Sequence, residues 1–106
     1  MKLYFVVTIE DAETKANPMN HVSDKRTVGY FLDLETAKKC IEENWCDLYE
    51  NGYYKYAVIE DVEPGLYSSM HSKPIFYKWH GDVKTGGYKR TRRPKDWKHT
   101  WGFAIG

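Results

Sequence analysis

The stretch from Asp33 to Gly52 reads DLETAKKCIEENWCDLYENG, and it decides the fold because no other segment keeps a helical period for so long. Asp33 stands where an N-cap belongs, and Glu35 falls in the first turn, where an anion meets the positive end of the helix dipole. Ala37, Cys40, Ile41, Asn44 or Trp45, and Leu48 recur at helical spacing, while Lys38, Lys39, Glu42 and Glu43 fall between them. The spacing predicts one amphipathic helix, closed at Asn51-Gly52 by a left-handed cap. Cys40 and Cys46 on such a helix lie about 240° apart around the axis and about 9 Å apart along it, too divergent to bond with each other. The expectation is two free thiols, one buried and one partly exposed, in a reducing cytoplasm.

Strand patterns flank the helix on both sides. Upstream, residues 3–9 (LYFVVTI) are β-branched and aromatic, and residues 26–32 (RTVGYFL) form a second such run. Between them the polar stretch 11–25, with Asn17-Pro18, reads as a long loop. Downstream, residues 53–61 alternate, with Tyr54, Tyr56 and Val58 on one face and Lys55, Ala57 and Ile59 on the other. Pro64-Gly65 makes a turn, 68–73 a loop and 74–79 (PIFYKW) a fourth strand. His80 to Gly87 reads as a hairpin connection into a strand at 88–91, which Arg92-Arg93-Pro94 breaks. Residues 101–105 (WGFAI) read as a last edge strand. The order β-β-α-β-β-β predicts an α+β fold: one domain over 1–106, with a mostly antiparallel sheet of four to five strands and one helix packed on a face.

Bulk composition agrees with a folded chain. Of 106 residues, 42% are hydrophobic and 16% aromatic, which a disordered chain does not reach. No apolar run approaches the roughly 20 residues of a membrane span, and MKLYFVVTIED meets acid too early for a secretory leader, so a cytoplasmic protein without a membrane partner is expected. The tyrosines, tryptophans and phenylalanines exceed what one helix can cover. With the apolar run 101–105, that surplus predicts rings facing solvent or a partner, and a homo-oligomer.

The net charge of +1 hides a split. Residues 1–61 carry 7 Lys and Arg against 12 Asp and Glu, a balance of −5; residues 62–106 carry 9 against 3, a balance of +6. Lys84, Lys89, Arg90, Arg92, Arg93, Lys95 and Lys98 gather around Tyr88 and Trp97, with Trp79 and Trp101 flanking. Arginine forks suit phosphate and aromatic faces stack on bases, so this stretch is one candidate anion site; a solvated basic edge strand is the competing reading. A second candidate is Arg26-Thr27-x-Gly29-Tyr30. There a glycine within a strand permits a bulge or the close approach of a ligand, or else makes room for a neighbouring aromatic.

Other patterns carry less. Gly86-Gly87 lacks the spacing of a phosphate loop and reads as a turn rather than a nest of N–H groups. Glu60 and Asp61 alternate to opposite faces and read as a solvated strand end. His21, His71, His80 and His99 are scattered, none at ligand spacing from a cysteine, so neither a metal nor a cofactor is expected.

Taken together, Arg26-Thr-x-Gly-Tyr-Phe, Glu35-x-Ala37, Tyr54-x-Tyr-Ala-Val-Ile-Glu60, Gly65-Leu-Tyr67, Phe76-Tyr-Lys-Trp79 and Gly102-Phe-Ala-Ile-Gly106 resemble a family of small proteins of Gram-positive bacteria and their phages. That resemblance implies a cytoplasmic α+β domain, often encoded on mobile elements. The family has no assigned activity, so it brings no site residues. The residues themselves point to a non-enzymatic binding protein that holds a phosphorylated nucleotide-type small molecule through Arg26, Thr27, Tyr30, Trp79, Lys89, Arg90, Arg92 and Trp97, and the resemblance implies that this molecule is an immune signal. The alternatives are an inhibitor docking on a host defence protein and, less favoured because an acidic half opposes phosphate, a nucleic-acid binder.

Overall fold

Val6, Val7, Thr8 and Ile9 are all fully buried, as are Ala57 and Val58, so these two runs belong to strands covered on both faces. A computed structural model describes residues 2–10, 25–64, 73–94, 97 and 102–104. Among them are strands β1 (Leu3–Ile9), β2 (Lys25–Phe31), β3 (Tyr56–Val62), β4 (Ile75–His80) and β5 (Gly87–Thr91), and helix α1 (Leu34–Glu42). All neighbouring strands pair antiparallel, in the order β2-β1-β3-β4-β5. The α+β fold expected from the element order is the one that forms. The loop at 11–24, most of the loop at 68–73, Gly65 of the turn, and Lys95, Lys98, Trp101, Ile105, His21, His71 and His99 lie outside the described residues.

Strand alternation builds two cores. Val6, Ala57, Ile59, Tyr77, Trp79 and Tyr88 pack with Ala37 and Ile41 of α1. Val7, Ile9, Tyr56, Val58 and Phe76 pack the other way, against Trp97 and Phe103. The surplus aromatics are thus largely absorbed, because the sheet is covered on both faces and not by the helix alone. Among the described residues, the tyrosines left exposed are Tyr30 and Tyr53.

Three expectations are corrected. The helix stops at Glu42, not at Asn51. Asp33 does cap it, accepting from the Thr36 N–H at 2.9 Å and hydroxyl at 2.8 Å. These bonds hold the Asp33 carboxyl below its ordinary value, the hydroxyl contributing most. Asn44, however, turns left-handed (φ 51°), and its Oδ1 accepts the Tyr49 N–H at 2.9 Å, offering the backbone an alternative to another helical turn. Cys46 consequently sits outside the helix, exposed, while Cys40 is buried within it.

The second correction concerns the tail. Gly102 to Ala104 does not extend the sheet edge; Phe103 lies across the sheet face, its ring 5.5 Å from Phe76. Glu60 is the third, since it is fully buried rather than solvated. Its oxygens accept the Phe103 N–H at 3.0 and 3.1 Å and the Ala104 N–H at 2.9 Å. A tail lacking ladder partners needs an acceptor for its buried N–H groups, and Glu60 supplies one.

Two buried phenols make stability sensitive to alkali. Burial first, and then nearby Glu42, push the Tyr77 hydroxyl from 10.0 up to about 12. Burial raises Tyr88 further still, and its hydroxyl donates to the Tyr54 carbonyl. Because the folded values lie above the unfolded one, the folded chain keeps protons that the unfolded chain loses. The contribution of these phenols to stability is therefore complete below pH 10 and falls as the pH rises from 10 through about 12. Urea unfolding at stepped pH should show that decline, and Tyr77→Phe should roughly halve its slope between pH 10 and 12, the Tyr88 share remaining; an equal slope in the variant would refute the assignment.

Candidate functional site

From Asn44 to Asn51 the chain is folded against its own preferences. Asn44, Cys46, Asp47, Glu50 and Asn51 all have φ between 48° and 55°. Asn and Asp tolerate that region, but for Cys46 and Glu50 it costs on the order of 1 kcal/mol each. The 3-10 turns Trp45–Asp47 and Glu50–Gly52 carry this segment back toward β2.

Strand β2 meets it with a gap. The register passes from Val6–Gly29 to Val7–Thr27, so Val28 is the extra residue of a bulge. A Cβ placed on Gly29 would meet nothing within 4 Å. Gly29 therefore does not make room for an aromatic from the next strand, because the space above it is open. Between β2, Cys40 and residues 45–50 lies a cleft of about 520 Å³. Val6, Phe31, Cys40 and Leu48 give it apolar lining, and Trp45 stands edge-on to Phe31 with ring centroids 6.1 Å apart.

Exposed Arg26, Asp47 and Glu50 bring charge to this cleft. Arg26 donates from Nη2 to Glu50 Oε2 at 2.9 Å and lies 5.7 Å from the Tyr54 ring. Such an exposed pair is worth at most about 1 kcal/mol, so the guanidinium is readily exchanged to another anion. Burial, with the neighbouring Cys46 adding to it, raises the Cys40 thiol and keeps it protonated.

The sequence-derived site residues do not converge. Arg26, Thr27 and Tyr30 lie on β2 and line the cleft. The Thr27 hydroxyl, however, donates to the Ala104 carbonyl at 3.3 Å, and the Tyr30 ring pairs with Phe5 at 5.6 Å. Lys89 and Arg90 sit on β5 and Arg92 just beyond it, at the other edge of the sheet, with β1, β3 and β4 between. Trp79 and Trp97 are core residues on opposite faces. Trp79 stacks on Tyr49 at 3.8 Å, and Trp97 is wholly buried. Neither ring is open to a ligand. Arg93 is engaged too, donating to the Trp97 carbonyl at 3.0 Å with its guanidinium 5.0 Å from the Phe76 ring. Trp45, Asp47 and Glu50 were missed because one long helix was read through them; the available signal was Asn44, a residue that tolerates the left-handed turn.

Gly86 fits the turn reading, since its N–H donates to Asp82 O at 2.7 Å within the turn. Among the described residues no group of three or more His, Cys, Asp or Glu is placed to hold a metal, and no helix is long and apolar enough to cross a membrane. No family model, curated protein or solved structure matches the chain.

Proposed function

We propose that the protein is a non-enzymatic binding protein whose β2 cleft holds a phosphorylated, nucleotide-type small molecule. The open space above Gly29, bounded by Trp45 and Phe31 and flanked by Arg26, Asp47 and Glu50, carries this reading. An aromatic base suits the apolar lining and the Trp45 ring. Carboxylates such as Asp47 and Glu50 accept from ribose hydroxyls, and the Arg26 fork suits a phosphate once it leaves Glu50. A net acidic lining fits a ligand with hydroxyls and one accessible phosphate better than a polyanion. Together with the family resemblance, the ligand class is a nucleotide immune signal, sequestered rather than transformed.

Thermal unfolding with ATP, ADP-ribose and a cyclic dinucleotide, and with inorganic phosphate as control, tests the proposal. At least one nucleotide should raise Tm by several degrees, and phosphate alone should not. A Cβ at Gly29 meets nothing within 4 Å, so Gly29→Leu should fill the open space, keep its own Tm and abolish that rise. Arg26→Ala should weaken binding about 10- to 100-fold, the worth of charge-assisted hydrogen bonds. Binding that persists in Gly29→Leu would place the ligand elsewhere.

Docking of a host protein on the same edge is a second reading, favoured by Val28, Tyr30 and Leu32, which are 37%, 59% and 66% exposed. Leu32→Asp separates the two. Leu32 is exposed and does not line the cleft, so the substitution should impair a protein complex and spare nucleotide binding.

A further inference from the structure

The sheet ends at β5 among the described residues. Among the described residues this strand pairs only with β4, leaving its outer row of backbone N–H and C=O groups without a ladder partner. Lys84 precedes the strand, Lys89 and Arg90 lie on it and Arg92 follows it, and all four are exposed. The ion pairs among the described residues use Lys2, Arg26, Lys38 and Lys39, and none of these four. Lys89 also stands directly opposite Lys78, a like-charge cross-strand pair. Four of the nine Lys and Arg of residues 62–106 thus lie on or beside an open strand edge.

The charges sit on both faces of that edge. Arg90 lies over Tyr77, a ring of the α1-side core, and its neighbour Lys89 points to the other side. A phosphate track wants cations along one surface. An added strand presents consecutive side chains to alternate faces, and its backbone completes the open ladder. We propose that β5 is the docking edge for an acidic peptide segment in extended conformation, with adjacent carboxylates opposite Lys89 and Arg90. The same cations deter pairing with neutral or basic strands, which makes the edge selective.

Fluorescence anisotropy on the full chain tests this, using a short labelled peptide with two adjacent glutamates among threonines and valines. Saturable binding that weakens with salt is expected. N-methylation of alternate backbone amides, which keeps the charge but removes strand pairing, should weaken it at least about tenfold. Lys89→Glu with Arg90→Glu should cost a similar factor, since two cross-strand pairs turn from attractive to repulsive. Lys89→Gln with Arg90→Gln should give a smaller loss, and unchanged thermal unfolding of either variant shows the fold is intact. The proposal is overturned if the N-methylated peptide binds equally well, if a single-stranded oligonucleotide of equal charge binds more tightly, or if no saturable binding occurs.

Discussion

Glu60→Ala is expected to lower the unfolding free energy by about 3–5 kcal/mol, the largest effect of any single change considered. The substitution removes the acceptor for the Phe103 and Ala104 N–H groups, which lie 2.9 to 3.1 Å from the carboxyl oxygens. Each buried N–H left without a partner costs about 1–3 kcal/mol, and the vacated side chain leaves a cavity beneath the tail. For a chain of this length such a loss lowers Tm by about 15 °C. Glu60→Gln retains one carbonyl oxygen and should lose roughly half as much. Hydrogen exchange at the Phe103 and Ala104 amides should accelerate in both variants. A loss below about 1 kcal/mol in Glu60→Ala would mean that Phe103 packing alone holds the tail.

Gly86→Val should cost about 3 kcal/mol, whereas Gly87→Val should stay within about 0.5 kcal/mol. A Cβ on Gly86 would collide with the His80 carbonyl oxygen, and would lie 2.6 Å from the Asp82 oxygen and 2.8 Å from Trp79 Nε1. Relief is expensive in each direction. The two oxygens belong to the backbone of the tight turn, and the Trp79 ring is fixed by its stack on Tyr49 and its bond to Asp82 O at 3.2 Å. At Gly87 a Cβ meets nothing within 4 Å. Paired urea unfolding of the two variants is the check, and equal losses would show that the contacts around Gly86 do not decide the cost.

Much of the fold was legible locally. Asp33 followed by Glu35 marked the helix start, and the β-branched and aromatic runs marked the strands. Alternation in β3 correctly parted Tyr56 and Val58 from Ala57 and Ile59. The helix end was misread because Trp45 and Leu48 keep the helical spacing by coincidence. Asn44 breaks the ladder with its own side chain, and periodicity cannot register a competing hydrogen bond. Glu60 was misread for a related reason. A carboxyl at a strand end is usually wet, and only a tail 43 residues away makes it buried and hydrogen-bonded.

For the site, local reading singled out Arg26 and Gly29, which line the cleft, and the basic run, but joined residues that the sheet keeps apart. The sequence by itself determined the helix start, the five strands and the facing of most strand residues, which depend on neighbours a few residues away, together with the −5/+6 division of charge. Only the tertiary structure decided that β2 and β5 are opposite edges and that Trp79 and Trp97 are buried on opposite faces. It also decided that a cleft opens above Gly29. Strand order and the cover on each face come from burying distant segments against one another, and no periodicity within a segment encodes which partner it meets.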